Sequence, residues 1–151
     1  MNVPHGHDID ITLPRVPPAE RPLQWQDAYE CGHALIDAQH RTLFDDANAL
    51  LHASQAATPQ VLSRFEELIS HVLGHFSDEE RVLRDIGFPG YAAHRRSHMR
   101  LAEKAMRLRE AMILGHHRHE ELLEFLVQDV VERHMLVEDR TFFAAVRPRD
   151  A

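Results

Sequence analysis

Several common routes to a function are closed to this sequence by what it lacks. Its 151 residues include one cysteine, Cys31, so no intramolecular disulfide can form, and a reducing compartment suits the chain. Bases are outnumbered, 17 against 24 acids, for a net charge of −7, and no basic patch with interleaved aromatics occurs. Nucleic acid and anionic membrane surfaces are therefore poor partners. No apolar run approaches the roughly 18 residues of a membrane span, and the N-terminus lacks the basic-then-apolar order of a signal peptide, so a cytoplasmic address is expected. Strand-like alternation, internal repeats and low-complexity tracts are also missing. Nothing sets a base beside Cys31, which removes a nucleophilic triad and leaves the residue a small packing role.

Histidine, normally scarce, is abundant: there are 13. Five of the eight prolines fall in residues 1–22, together with His5 and His7 and without any helical or strand period, which predicts a flexible, extended arm. Residues 23–147 then make one domain. Trp25 and Tyr29 form an irregular lead-in, with Gly32 permitting a turn. Helices are expected over residues 35–53, from Thr58 and Pro59 (hydroxyl cap and first-turn proline) to 86, over 91–114, and from 119 to 146. Four helices of this length joined by short loops predict an all-α fold, an antiparallel up-down-up-down four-helix bundle behind an N-terminal extended arm.

The apolar stripe of each helix carries groups that do not belong in an apolar interior. Ile36, His40, Leu43, Ala47 and Leu50 share a face of the first helix. Phe65, Leu68, Val72, His75, Glu79, Val82 and Ile86 share one on the second, and Tyr91, His94, His98, Leu101, Ala105, Leu108 and Met112 on the third. Leu123, Val127, Val130, His134 and Val137 share one on the fourth. Asp139 fits less simply. Five residues turn a regular helix by about 140°, so Asp139 and His134 are not in line. Five imidazoles and two carboxylates converging on one core call for a metal, since an unpaired buried carboxylate costs several kcal/mol. They exceed the six positions of one octahedral ion and suit two ions bridged by both carboxylates and a solvent oxygen. The histidines then split three and two, leaving one position open to a small molecule. Imidazole with bridging carboxylate favours iron over zinc, magnesium or calcium.

Trp25, Gly32, Ile36-Asp37-Ala38-Gln39-His40, His75-Phe76-Ser77-Asp78-Glu79-Glu80, His94-x-x-x-His98 and His134-x-x-x-x-Asp139 together resemble the hemerythrins, in particular single-domain bacterial ones, over residues 24–144. The five-residue step to Asp139 is the spacing of that family's last pair. The resemblance implies two iron ions (Fe2+/Fe3+) with an oxo or hydroxo bridge. His94, His98 and His134 would hold the six-coordinate iron, His40 and His75 the open one, and Glu79 and Asp139 would bridge. It also implies reversible dioxygen binding for carriage, storage or delivery to an oxygen-consuming partner enzyme, rather than catalysis. Where that family commonly has Trp-Leu-x-x-His, this chain has Val130-Val131-Glu132-Arg133-His134. Val130 and Val131 are expected to line the oxygen pocket and to leave it roomier. A looser pocket is the feature that would favour the competing function, a di-iron enzyme reducing nitric oxide or peroxide. An oxygen or redox sensor acting through the arm or Cys31 is the third reading. His71, one turn before His75, is expected to support the site or close the bundle end rather than bind a metal. The run His116, His117, His119 reads as a polar connection.

Overall fold

The computed structural model describes Val16, residues 21–57 and residues 59–147. Most of the expected 1–22 arm, and the expected cap Thr58, lie outside the described residues. After a narrow turn at Asp27–Tyr29, three long helices follow: α1 (Ala34–Gln55), α2 (Val61–Asp85) and α3 (Tyr91–Ile113). A fourth rod is composite. It begins as α4 (His119–Leu123), widens over Glu124–Glu138, narrows to a 3-10 turn at Asp139–Phe142 and ends as α5 (Phe143–Val146). α1 packs on α2, α2 on α3, and the fourth rod closes the bundle against α1 and α3. This is the expected four-helix bundle, and no strand occurs among the described residues.

Local chemistry sets the ends of the helices. Before α1, the Asp37 carboxylate accepts the N–H groups of Cys31 and Gly32 at 2.8 and 3.1 Å, and the His33 ring accepts the N–H of Ile36. Gly32 turns the chain there with φ +88°. α2 and α3 end alike. Gly87 (φ +67°) and Gly115 (φ +69°) are left-handed, and the next N–H reaches back to the carbonyl of Leu83 (2.9 Å) or Ala111 (2.8 Å). That motif satisfies carbonyls the helix leaves free. The start of α2 corrects the sequence expectation: Pro59 lies in the turn before the helix, which begins at Val61 behind Gln60.

Two apolar clusters of unequal size flank the middle of the bundle. The larger includes Leu43, Leu50, Phe65, Leu68, Leu122, Phe125 and Val131, with Trp25 and Tyr29 packed against it. The ring of Trp25 meets those of Tyr29 and Phe44 edge-on at 5.5 and 5.2 Å, so the lead-in packs onto α1. The smaller comprises Cys31, Ile36, Leu83, Phe142 and Val146. Cys31 is wholly buried in it, and burial pushes its thiol up to about 12. Each fully buried large aliphatic side chain contributes about 1.5–3 kcal/mol, so these clusters fix the rods on both sides of the histidines.

Not every inward assignment holds. Val137 is 64% exposed, Ile86 46% and Leu123 37%, whereas Leu122, Phe125, Leu126, Val131 and Met135 supply the buried face of the fourth rod. Regular 3.6-residue periodicity misplaces residues there because Glu124–Glu138 is wound with i→i+5 hydrogen bonds, a wider turn than the α-helix. Ile86 follows the last residue of α2 and points out at its C-cap.

Candidate metal centre

Between the two clusters, His40, His75, Glu79, His94, His98, His134 and Asp139 meet, and all seven are buried. Ile36 lies one turn before His40 on α1 and Leu83 one turn after Glu79 on α2, so the small cluster floors the site. The Phe142 ring closes one side by meeting His94 edge-on at 5.3 Å. On the opposite side Phe76 stacks on His98 with centroids 3.8 Å apart and planes 7° from parallel.

The fourth rod explains how Asp139 arrives. Its backbone N–H bonds the carbonyl of His134, a five-residue ring in place of the usual four. The wider turn brings the Asp139 carboxylate under His134, with Nε2 to Oδ1 at 3.1 Å.

The imidazoles form two sets. His40 and His75 bring their Nε2 atoms to 3.0 Å of each other, and both face Glu79 Oε2, at 3.4 and 2.9 Å. His98 and His134 bring theirs to 3.1 Å, while His94 and His98 face Glu79 Oε1 at 2.6 and 3.2 Å. Asp139 divides in the same way, Oδ2 toward His40 at 3.4 Å and Oδ1 toward His94 and His134 at 3.0 and 3.1 Å. Glu79, His94, His98, His134 and Asp139 thus offer one group of ligand atoms, and His40, His75 and Glu79 another.

Close approach has not produced a satisfied hydrogen-bond network. Both oxygens of Asp139 and Glu79 Oε2 are buried without a directed hydrogen bond, as is the outward-facing Nδ1 of His40. Nitrogen and oxygen lone pairs aimed at common points, with acceptors left over, suit cations as the missing partners. Charge balance agrees. Burial disfavours a charged Glu79, yet His40, His75, His94 and His98 around it hold its carboxyl well below the usual carboxylate range. Asp139 is also lowered, with burial and Glu79 opposing and His134 and His94 prevailing. Burial also opposes charge on His94 and His134, but Asp139 and Glu79 raise them to about 9 and about 10. The same carboxylates raise His40 against its burial, whereas burial wins at His75 and lowers it.

A surrounding layer fixes the rings. His75 Nδ1 lies 2.7 Å from Gln39 Oε1, and the Gln39 amide donates to Asp78 Oδ2 at 2.7 Å. His98 Nδ1 lies 3.2 Å from Glu80 Oε2, and His134 Nδ1 lies 3.4 Å from Glu138 Oε2 and 3.3 Å from Ser97 Oγ. The hydrogen bond from His134, against some burial, holds Glu138 down to about 2. Sequence reasoning did not single out Gln39, Asp78, Glu80, Ser97 or Glu138. The available signal was position: each lies next to an inward residue or one turn from it, within the motifs already noted.

His71 stands apart. Its Nδ1 pairs with Asp46 Oδ2 at 2.5 Å on the outer face between α1 and α2, next to Glu67, and it does not reach the buried seven. Of the connecting histidines, His119 meets Ser54 Oγ at 3.0 Å.

Val130 and Val131 line an apolar cavity of about 30 Å³ with Leu43, Val72, Phe76 and Leu101 among its walls. Leu43, Val72, Leu101 and Val131 are each three residues from His40, His75, His98 and His134 respectively, so the cavity lies one turn from the imidazoles. Its size is that of one small molecule.

A family model described as the hemerythrin HHE cation binding domain matches residues 31–146. The bacteriohemerythrin of Stenotrophomonas maltophilia (strain R551-3) is 35% identical over 94 residues, which are 56% of this chain and 59% of that protein. The bacteriohemerythrin of Ralstonia nicotianae is 32% identical over 120 residues, 75% of this chain and 85% of that protein. A crystal structure of wild-type hemerythrin superposes with a TM-score of 0.74 at 23% identity, covering 84% of this chain and 99% of the other, which supports the fold. With the domain match spanning all seven converging residues, the chain belongs to the hemerythrin family.

Proposed function

We propose that this chain takes up and releases dioxygen at two iron ions, one served by His40 and His75 and the other by His94, His98 and His134, with Glu79 and Asp139 shared. Non-heme iron and oxygen binding are properties of the family to which it belongs. The observation that carries the two-ion reading is the division of both carboxylates, each turning one oxygen to the pair of imidazoles and the other to the trio. An iron pair, when bound, supplies the two electrons that dioxygen uptake requires and recovers them on release.

The chain's own residues do the rest. Two imidazoles against three leave the His40–His75 position one protein donor short, which provides room for a small ligand. Glu79 and Asp139, both fully buried, offset the charge of two cations. Leu43, Val72, Phe76, Val130 and Val131 keep the neighbouring cavity apolar, which slows loss of reduced oxygen to water. Gln39, Glu80 and Glu138 hold the outer ring nitrogens and thereby the ring orientations. Such a device serves carriage, storage or delivery of oxygen to an enzyme that consumes it.

The test is an optical titration of anaerobically reduced, iron-counted protein with oxygen, followed by removal of the gas. The expected result is two irons per chain and a charge-transfer band that appears with oxygen and fades on its removal. Immediate oxidation without return of the reduced spectrum overturns reversible binding and points to reduction of nitric oxide or peroxide.

A further inference from the structure

The outer nitrogens of four of the five histidines stand in chemically different surroundings. On the three-histidine side, His98 Nδ1 faces the Glu80 carboxylate at 3.2 Å and His134 Nδ1 faces the Glu138 carboxylate at 3.4 Å. On the two-histidine side, His75 Nδ1 faces a neutral amide oxygen, Gln39 Oε1, at 2.7 Å, and His40 Nδ1 is buried with no hydrogen-bond partner. Asp78 determines which end of the Gln39 amide is presented. Its Oδ2 accepts the amide N–H at 2.7 Å, leaving the carbonyl for His75.

We propose that these partners make the two cation positions unequal: Glu80 and Glu138 tighten the three-histidine position, while Gln39 keeps the two-histidine position weaker and exchangeable. The proposal rests on the two-ion reading above. An imidazole that ligates through Nε2 carries its proton on Nδ1 and donates it outward. A carboxylate acceptor draws on that proton, leaves more electron density at Nε2 and makes the ring a stronger donor to a cation. A neutral amide does so less, and an unpartnered Nδ1 not at all. Arg95, with Nε 3.5 Å from Glu80 Oε1, helps to hold the Glu80 carboxylate in place. Glu80, Glu138 and Gln39 are positioning residues that act through their histidines. The consequence for function is an asymmetric pair, in which the position with fewer protein donors also has the softer hold on its ion and is the first to empty.

The test uses protein filled anaerobically with two Fe2+ or Co2+ per chain and challenged with excess chelator, with release followed over time. Two phases of one ion each are expected. Glu80→Gln and Glu138→Gln should accelerate the slow phase about 10–100-fold, the usual effect of removing such an outer partner, and leave the fast phase unchanged. Glu80→Asp should restore much of the slow rate. The paired exchange Gln39→Glu with Asp78→Asn reverses the amide and carboxylate while keeping both hydrogen bonds, and should slow the fast phase by a similar factor. Melting of the metal-free variants separates these effects from misfolding. Equal acceleration of both phases by Glu80→Gln, or no effect of the paired exchange on the fast phase, overturns the proposal. A filled protein holding fewer than two ions per chain refutes the two-ion reading instead, and no oxygen measurement enters either result.

Discussion

His134 and Asp139 are five residues apart, and their side chains meet at 3.1 Å because the Asp139 N–H bonds the His134 carbonyl. That single wide turn delivers to the centre a carboxylate whose two oxygens face different imidazole sets. Asp139→Ala therefore removes a donor from both proposed cation positions, whereas His40→Ala removes one from the two-histidine position alone. Metal counted after desalting should fall below one ion per chain for Asp139→Ala and stay near one for His40→Ala. Equal counts in the two variants would contradict a shared role for Asp139.

The raised histidines give the metal-free protein a characteristic pH response. Against burial, Asp139 and Glu79 hold His94 at about 9 and His134 at about 10, above the ordinary 6.5. A raised value in the folded state means stability that is fully present below about 6.5 and lost as pH rises through 9 and 10. The metal-free melting temperature should thus decline between pH 6.5 and 10. Cations displace these same protons, so loading at pH 7 should release acid into a weakly buffered solution, and the loaded protein should melt nearly independently of pH over that window. Calorimetry on both forms checks the contrast, and parallel pH profiles would remove the imidazolium–carboxylate balance as its source.

Much of this was legible in the sequence because the histidines of α1, α2 and α3 follow regular helical periodicity. His40 among Ile36 and Leu43, or His94 with His98, can be placed inward from spacing alone. The fourth rod was not legible in that way. Its i→i+5 winding shifts the buried face onto Leu122, Phe125, Leu126, Val131 and Met135 and turns Val137 outward, and residue identity does not announce such a turn. Gln39 and Glu80 were hidden for another reason. Each sits beside a buried ligand candidate on a helix, where a polar residue reads as solvated surface until the facing helix shows its Nδ1 partner.

The lead-in segment depends on one buried amide. Asn48 accepts the Leu23 N–H at 3.0 Å and donates to the Leu23 carbonyl at 2.9 Å, so one side chain on α1 satisfies both backbone groups of a residue 25 positions earlier. Asn48→Leu would leave those two groups unpaired in the interior, and a buried polar group that loses its partner costs about 1–3 kcal/mol. The variant should melt earlier by an amount of that order while retaining its full metal content, because Asn48 is not among the seven converging residues. Urea unfolding together with a metal count distinguishes a packing anchor from a part of the centre.

Access to the centre is the remaining variable, and Val131 is the residue at which the proposed sheltering can be tested. The residue is buried, lies three positions before His134 and lines the apolar cavity opposite Leu43 and Phe76. With about 30 Å³ available, Val131→Leu adds one methylene and consumes much of the free space, at about 1–3 kcal/mol where the fit is tight. Val131→Ala enlarges the cavity and admits water more readily. If exclusion of water protects the oxygen-loaded state, the fading of its absorption in air should slow in Val131→Leu and quicken in Val131→Ala. The paired change Val130→Trp with Val131→Leu should extend the slowing. If oxygen occupies this cavity, its entry should also slow in the filled variants. An unchanged fading rate across the larger and smaller side chains would show that water reaches the site by another route, and that the apolar wall around Val131 serves packing alone.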